Sequence, residues 1–128
     1  MLKHGFKAML AEANAVIETV SVSDLAYHLE DAGGVLVDVR ETVERARDGG
    51  IAGSVHVPRG LLEFQADPDS PAYNDALRPE DRIILYCGTG GRSALAAKTL
   101  LDMGFEDVSS LGGGYAAWRI AQDNNPPG

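Results

Sequence analysis

Two short and almost uninterrupted runs of apolar residues stand out along the chain, at residues 35–39 and 82–86. Runs of this length that are rich in Val, Ile and Leu are typical of parallel strands buried on both faces. Apolar segments at residues 16–20, 54–57 and 107–109 predict three shorter strands, the first of them at a sheet edge. The pattern therefore predicts a central sheet with two fully covered strands.

Outside these strands, several segments have apolar residues at helical spacing. An amphipathic helix is predicted over residues 3–15, where Phe6, Met9, Leu10 and Ala13 fall on one face. We expect this face to pack on the edge of the domain, with a partner protein as the alternative. The clearest helix covers residues 93–103 and ends at Gly104, a C-terminal glycine cap. Shorter helices are predicted at residues 25–31, 41–47, 61–65, 73–77 and 115–121.

The alternation of strands with helices predicts an α/β fold, an open and mostly parallel central sheet with helices on both faces. Residues 1–18 are expected to form an N-terminal helix and lead-in, residues 19–122 one domain, and residues 123–128 a flexible tail. Active sites in such sheets lie at the carboxyl ends of the strands. Cys87 directly follows one of the two buried strands, which places it at that edge.

The composition narrows the class of function. The chain has 128 residues, of which 45% are hydrophobic, and a net charge of −8. An acidic surface repels phosphate groups, so we expect no nucleic-acid partner and no docking on anionic membranes. No apolar run approaches the roughly 18 residues that a bilayer span needs, and residues 1–16 make a poor signal peptide.

The number of cysteines and the spacing of the histidines indicate where the protein is located and whether it binds a metal ion. Cys87 is the single cysteine and cannot form an internal disulfide, so a reducing cytoplasm is the expected location. His4, His28 and His56 are widely spaced and match no metal-ligand pattern. The triple glycine at residues 112–114 lacks the spacing of a dinucleotide fingerprint and is expected to be a tight turn. We therefore expect no metal ion and no cofactor.

The candidate chemistry is concentrated in the glycine-rich loop between the strand at residues 82–86 and the helix that begins near Ser93. Such a loop can turn its N–H groups inward as a nest for negative charge, and the helix adds the positive end of its dipole. Both effects favour a cysteine thiolate, which is a nucleophile without needing a general base. Cys87 is the predicted catalytic residue, and the predicted substrate-binding residues are Gly88, Thr89, Gly90, Gly91 and Arg92.

Four segments in order resemble the single-domain rhodanese-like sulfurtransferase family over about residues 19–121. They are VLVDVRE at 35–41, GIAGSVHVP at 50–58, ILYC at 84–87 with its following loop, and LGGGYAAW at 111–118. The resemblance implies that Cys87 accepts sulfur and that the backbone of residues 88–92 cradles it. It also implies that Asp38 and Arg40 support the site from a neighbouring strand end.

Two positions depart from the family pattern. Gly50 stands where a histidine is common, which we expect to change local packing rather than sulfur transfer. Gly88 stands where an arginine is frequent, so one cation is missing from the pocket and the donor preference is left open. The loop places four residues between Cys87 and Arg92, one fewer than in tyrosine phosphatases. By resemblance, the shorter loop suits a sulfur-sized group.

Several candidate residues have a structural alternative. Arg92 is either a cation at the rim of the pocket or one half of a surface ion pair. Asp38 and Arg40 are expected to be structural rather than catalytic, because a charge pair at a strand end can simply position loops. Arg59 is a candidate for reaching the pocket from a neighbouring strand end, and Ser93 is a supporting residue at the helix start.

The predicted function is a sulfurtransferase that moves sulfane sulfur from a small donor such as thiosulfate to a thiophilic acceptor through a Cys87 persulfide. In the alternative, the chain is a persulfide carrier or interaction module that takes sulfur from a partner protein without turnover on small donors. A third hypothesis is a phosphatase or arsenate reductase that uses the same loop. Three assays distinguish these hypotheses. Turnover of thiosulfate indicates the enzyme, sulfur loading only by a partner protein indicates the carrier, and hydrolysis of an aryl phosphate indicates the phosphatase.

Overall fold

Strands and helices alternate along residues 1–124, the part of the chain that the computed structural model describes. The strands are β1 (Glu18–Val20), β2 (Val35–Asp38), β3 (Val55–His56), β4 (Arg82–Tyr86) and β5 (Asp107–Leu111). The helices are α1 (Phe6–Val16), α2 (Leu25–Glu30), α3 (Thr42–Asp48), α4 (Leu62–Ala66), α5 (Gly91–Met103) and α6 (Gly114–Asn124). Single 3₁₀ turns, Val22–Asp24 and Arg59–Leu61, lead into α2 and α4.

The five strands form one sheet in the order β1-β5-β4-β2-β3, and every pairing in it is parallel. Strands β4 and β2 pair over four residues, from Val35 opposite Ile83 to Asp38 opposite Tyr86. The predicted fold class is confirmed, and the sheet is more regular than the sequence indicated, since it contains no antiparallel pair among the described residues. All the strands end at one edge, where Cys87 follows β4.

Successive side chains along β4 and the residue after it are buried in two different clusters. Ile83, Leu85 and Cys87 pack with residues of α4 and α5, whereas Ile84 and Tyr86 pack with residues of α2 and α6. The period of two is that of a strand, and burial on both faces is what a continuous apolar run predicts. Helices therefore cover both faces of the sheet, as predicted.

Helix α1 packs against α5, and only part of its apolar face is covered. Ala13 is fully buried, but Phe6 and Met9 remain 69% and 42% exposed. The predicted face therefore contacts the domain through its C-terminal half, and its N-terminal half stays open to solvent. Among the described helices, none combines the length and the apolar character needed to cross a membrane.

The helix predicted at residues 73–77 is wrong. The Asn74 side chain accepts a hydrogen bond from the Ala76 N–H at 3.0 Å, and the Tyr73 hydroxyl donates to the Leu77 carbonyl at 2.8 Å. Asparagine side chains that bond to nearby backbone compete with helix formation, and here the segment forms turns that bury Leu77. The last helix is longer than predicted and includes Asp123 and Asn124, the first two residues of the predicted tail; residues 125–128 lie outside the described residues.

Candidate active site

Cys87 is held at the point where β4 gives way to α5. Its side chain is fully buried, and the loop that follows it ends at Gly90, the N-cap of α5. Gly90 has φ +111°, a left-handed conformation that a residue with a Cβ rarely adopts. This conformation turns the loop back so that the first turn of α5 faces the sulfur.

Hydrogen-bond donors from this turn converge on the Cys87 Sγ. The backbone N–H groups of Gly90 and Ser93 donate to Sγ, with N···S distances of 3.1 and 3.4 Å. The Ser93 Oγ lies 3.5 Å from Sγ, 3.2 Å from the Gly90 carbonyl oxygen and 2.8 Å from the Ser110 Oγ. The nest predicted from the glycine-rich loop is therefore present, and its amides point at the sulfur.

The pKa of Cys87 reflects two opposing influences. Burial raises the pKa of the thiol, whereas hydrogen bonds from the Ser93 hydroxyl and from the N–H groups of Ser93, Gly90 and Thr89 lower it. The hydrogen bonds outweigh the burial, and the pKa of Cys87 falls below its ordinary value of 9.0. A donor set that stabilises the thiolate makes this sulfur a better nucleophile near neutral pH.

Arg92 forms a bidentate ion pair with Glu44, a residue of α3. The N···O distances are 2.6 and 2.9 Å, and the hydrogen bonds from Arg92 hold the pKa of Glu44 at about 2. The Arg92 Nη2 also lies 3.3 Å from the position that a Cβ on Gly88 would take. A guanidinium therefore occupies space beside Gly88 that a side chain at that position would need. The ion pair expected for Arg92 is present, and its role as a cation for the substrate stays a prediction.

Glu44 is a site residue that the sequence reasoning missed. Its carboxylate also accepts a hydrogen bond from the Glu41 N–H at 3.0 Å and completes a capping box at the start of α3. A glutamate three residues after a helix N-cap was the available signal. The pairing with Arg92 itself carries no local sequence signal, because the two residues lie 48 positions apart.

Asp38 and Arg40 form a buried network beside the site. Asp38 accepts from the Arg40 backbone and guanidinium at 2.8 to 3.0 Å and from Arg45 at 2.9 Å. Burial raises the pKa of Asp38, but these hydrogen bonds dominate and lower it. The Arg40 guanidinium also lies 4.2 Å from the Tyr115 ring centroid and donates to the Gly49 carbonyl. These contacts join β2, α3 and α6, which agrees with the structural role expected for the pair.

The glycine at position 50 makes room for Arg45. A Cβ on Gly50 would lie 2.9 Å from the Arg45 Nη1 and 3.2 Å from the Tyr86 hydroxyl. The Arg45 guanidinium fills this space and bonds to both Asp38 and Ser54. The structure therefore shows Gly50 in a local packing role, and its lack of effect on sulfur transfer stays a prediction.

The hydrogen bonds of Arg59 are made to residues other than those of the Cys87 loop. Its guanidinium donates to the Glu63 carboxylate at 2.9 Å and to the Thr99 hydroxyl at 3.1 Å. It therefore bridges α4 and α5 rather than entering the loop around Cys87. Within residues 1–124, no group of three or more His, Cys, Asp or Glu side chains is placed to hold a metal ion.

The start of α6 forms hydrogen bonds to the backbone carbonyls of the cysteine loop. The Tyr115 N–H donates to the Cys87 carbonyl at 2.8 Å, and the Ala116 N–H donates to the Gly88 carbonyl at 3.0 Å. A Cβ on Gly114 would lie 2.6 Å from the Cys87 carbonyl oxygen. Gly112 and Gly113 form a turn, as predicted, but Gly114 is the first residue of α6, and the sequence reasoning missed that it allows this close approach.

Comparisons with known proteins agree with this geometry. The model of the rhodanese-like domain matches residues 21–121. Thiosulfate sulfurtransferase 16, chloroplastic, from Arabidopsis thaliana is 37% identical over 113 residues, which cover 85% of this chain and 92% of that protein. The thiosulfate sulfurtransferase GlpE of Stutzerimonas stutzeri is also 37% identical, over 73% of this chain and 78% of its own.

Solved structures share the fold of this chain. A Rhodopseudomonas palustris protein of unknown function, RPA3614, described as a possible tyrosine phosphatase, superimposes with a TM-score of 0.86 at 45% identity and covers 94% of this chain and 93% of its own. The human single-domain sulfurtransferase TSTD1 superimposes with a TM-score of 0.70 at 26% identity, over 80% of this chain and 95% of its own. The fold, the matched domain and these relatives together show that the chain belongs to the single-domain rhodanese-like sulfurtransferase family.

Proposed function

We propose that the protein moves sulfane sulfur from thiosulfate to a thiophilic acceptor through a persulfide on Cys87. The observation that carries the proposal is the convergence of the Gly90 and Ser93 N–H groups on the Cys87 Sγ, at 3.1 and 3.4 Å. Donors placed in this way favour a negative charge on sulfur before and after the transfer. Both relatives described above carry the name thiosulfate sulfurtransferase.

In the first step, the Cys87 thiolate attacks the outer sulfur of thiosulfate. A bond forms between Sγ and that sulfur, the sulfur–sulfur bond of thiosulfate breaks, and its electron pair leaves with sulfite. The products are a Cys87 persulfide with one negative charge and sulfite with two, which balances the charge of the reactants. The glycine-rich loop suits this step because its N–H groups can follow the charge from Sγ to the outer sulfur.

In the second step, a nucleophilic acceptor attacks the outer sulfur of the persulfide. The bond from that sulfur to Sγ breaks, its electron pair returns to Sγ, and the thiolate is regenerated. The N–H donors that contact Sγ stabilise the electron pair that returns to it, so this step needs no proton transfer when the acceptor attacks as an anion. Cys87 is the catalytic residue of both steps, and Ser93 positions its charge.

Intact mass spectrometry before and after incubation with thiosulfate tests the first step. We expect the wild-type protein to gain the mass of one sulfur atom and Cys87→Ser to gain none. Cyanide added afterwards is expected to remove the extra mass and to form thiocyanate. A wild-type protein that gains no sulfur from thiosulfate contradicts the proposal.

Intact mass spectrometry also distinguishes an enzyme that turns over thiosulfate from a carrier that is loaded with sulfur by another protein. Loading by a cysteine desulfurase but not by thiosulfate would favour the alternative, a persulfide carrier that takes sulfur from a partner protein. The description of RPA3614 as a possible tyrosine phosphatase is in line with the third hypothesis, but only four residues lie between Cys87 and Arg92 in this chain, one fewer than in tyrosine phosphatases. Hydrolysis of an aryl phosphate that depends on Cys87 would support that hypothesis, and we expect none.

We propose the cytoplasm as the site of action, because an unpaired thiol that cycles between thiolate and persulfide needs a reducing compartment. Cell fractionation with an antibody to the native protein tests this. Recovery in an oxidising compartment would contradict it.

A further inference from the structure

The loop after Cys87 has one charged side chain, that of Arg92. Residues 88–91 are Gly, Thr, Gly and Gly, and the Arg92 Nη2 lies 3.3 Å from the position that a Cβ on Gly88 would take. The pKa of Arg92 is raised mainly by its hydrogen bonds to Glu44 and also by the negative charge of the Cys87 thiolate. The guanidinium is therefore close enough to Cys87 for the two charges to attract.

The Glu44 carboxylate occupies the edge of the Arg92 guanidinium that binds anions. The Arg92 Nη1 and Nη2 both donate to it, at 2.6 and 2.9 Å. Two parallel N–H···O bonds are the arrangement by which arginine binds carboxylate and phosphate oxygens. The oxygens of an anionic sulfur donor would have to compete with Glu44 for the same pair of N–H donors.

Glu44 is fixed in this position as an ionised side chain. Its carboxylate also accepts a hydrogen bond from the Glu41 N–H at 3.0 Å, within the capping box of α3. Its pKa of about 2 keeps it charged near neutral pH. Much of the positive charge of Arg92 is therefore neutralised before a substrate arrives.

The arginines of the neighbouring network are directed elsewhere. Arg40 and Arg45 both donate to the buried Asp38 carboxylate, at 2.8 and 2.9 Å. The remaining hydrogen bonds of their guanidinium groups that the structure shows go to Gly49 and Ser54. The charge at the rim of the loop is thus set chiefly by the pair of Arg92 and Glu44.

From these contacts we propose that Glu44 determines the donor preference of Cys87: by neutralising Arg92, it makes the site discriminate against thiosulfate, which carries two negative charges, relative to a sulfane donor that carries one. The inference rests on the proposed function for its reaction and names the class of donor that the site favours. It also gives a physical basis for the donor preference that Gly88, in the place of an arginine, leaves open in the sequence.

A thiosulfonate is a donor of the favoured class. The Cys87 thiolate attacks its outer sulfur, a bond forms between Sγ and that sulfur, and the sulfur–sulfur bond of the thiosulfonate breaks. The electron pair of that bond leaves with the sulfinate. The persulfide and the sulfinate carry one negative charge each, as the thiolate and the thiosulfonate do, so the step differs from that of thiosulfate only in the charge of the donor and of its leaving group.

The ratio of two specificity constants tests the proposal. We measure kcat/KM for thiosulfate and for methanethiosulfonate, with cyanide as the acceptor, in wild type and in Glu44→Gln. We expect the ratio of thiosulfate to methanethiosulfonate to rise in Glu44→Gln by about threefold to fivefold, the size of one screened charge contact. Both donors react with the same thiolate, so a change in the pKa of Cys87 cancels in this ratio.

Two further variants separate the charge of Glu44 from its structural role. Glu44→Asp keeps the charge, and we expect a ratio close to that of wild type. Glu80→Gln makes the same change in net charge at the opposite end of β4, since Glu80 precedes this strand and Cys87 follows it, and we expect no change in the ratio. Equal ratios in wild type and Glu44→Gln, or an equal rise in Glu80→Gln, would overturn the inference while the persulfide chemistry stands.

Alkylation tests the charge effect without sulfur transfer. Iodoacetate and iodoacetamide both alkylate a thiolate, and they differ by one negative charge; Cys87 is the single cysteine of the chain. We expect the ratio of their rate constants, iodoacetate over iodoacetamide, to rise in Glu44→Gln and not in Glu80→Gln, with a smaller rise in added salt. An unchanged ratio would overturn the role of Glu44. A risen ratio in a protein that forms no persulfide from either donor would support the charge effect and contradict the proposed function.

Discussion

The Cα of Gly114 lies directly against the Cys87 carbonyl, so that a Cβ at this position would be 2.6 Å from the carbonyl oxygen and 2.8 Å from that of Gly88. The start of α6 and the cysteine loop are therefore in backbone contact. Two hydrogen bonds from α6 to the loop carbonyls depend on this contact. The orientation of the loop amides toward the sulfur is thus set partly by a segment that does not touch the sulfur.

Gly114→Ala is expected to destabilise the protein and to slow persulfide formation. The φ of Gly114 is +61°, which costs a residue with a Cβ roughly 1–3 kcal/mol, and the backbone contact must also widen. We expect a loss of at least about 2 kcal/mol in the free energy of unfolding, measured by urea denaturation. Gly91→Ala is the control, because a Cβ there meets nothing within 4 Å. Equal stability of the two variants would contradict this account of Gly114.

Ser93→Ala is expected to raise the pKa of Cys87. The Ser93 hydroxyl helps to lower that pKa, and its removal leaves burial opposed only by the backbone N–H groups. The ultraviolet absorbance of the thiolate, followed against pH and corrected with Cys87→Ser, measures the midpoint. In wild type we expect the midpoint below 9.0, and in Ser93→Ala a shift toward higher pH with slower persulfide formation at neutral pH.

Ser110→Ala is the comparison for that experiment. The Ser110 hydroxyl bonds to the Ser93 Oγ at 2.8 Å, and the loss of such a hydrogen bond costs about 1 kcal/mol of stability. We expect a smaller rise in the Cys87 midpoint than in Ser93→Ala. A midpoint that responds to neither substitution would show that the hydroxyl network does not tune the sulfur.

Glu44→Gln tests the ion pair that holds Arg92 over the loop. Because the pKa of Glu44 falls from 4.5 to about 2 on folding, the pair stabilises the folded state above pH 4.5, and this stabilisation is lost as the pH falls toward 2. Arg92 is 41% exposed, so solvent screening limits the contribution to about 1 kcal/mol. We expect wild type to exceed Glu44→Gln in unfolding free energy at pH 6 and the two to converge near pH 2.

The outcome that would contradict this prediction is a stability difference that does not depend on pH. Glu80→Gln serves as the control, since it removes the carboxylate of an ion pair with Arg78 in which both side chains are exposed. We expect its effect at pH 6 to be smaller than that of Glu44→Gln. Added salt is expected to reduce the effect of both substitutions.

Asp38→Asn is expected to be the most destabilising of these changes. The Asp38 carboxylate is fully buried and neutralises Arg40, which is 2% exposed, so the substitution leaves a buried guanidinium without its counter-charge. Breaking one side of a buried pair costs about 3–5 kcal/mol. Thermal and urea denaturation measure the loss, and Asp48→Asn, at the exposed pair with Arg47, is the control. A loss below about 1 kcal/mol in Asp38→Asn would contradict the structural role.

The sequence alone determined the sheet and the position of the reactive residue. Strands β2 and β4 were predictable because burial on both faces requires apolar residues at consecutive positions, and residues 35–39 and 82–86 have them. The Cys87 loop was predictable because the strand, the glycines and the following helix are adjacent in the chain. A nest built from consecutive N–H groups is a local structure, and Gly90 and Ser93 lie within six residues of Cys87.

The helix predicted at residues 73–77 shows the limit of such reasoning. Its propensities allowed a helix, but the hydrogen bond from the Asn74 N–H to the Gln65 carbonyl ties the segment to the end of α4. The segment cannot form a local helix and also keep this hydrogen bond to a residue nine positions away, and the local sequence does not show which of the two is more stable. The start of α6 is likewise tied by tertiary hydrogen bonds to the carbonyls of Cys87 and Gly88.

Only the tertiary structure decided what surrounds the loop. It brought Glu44 to Arg92 and Gly114 to the carbonyl of Cys87. These partners are separated from the loop by many residues, and their meeting depends on strand order and on which strand ends share an edge. Side-chain patterns along a chain report whether a residue is buried, but not which distant residue it faces.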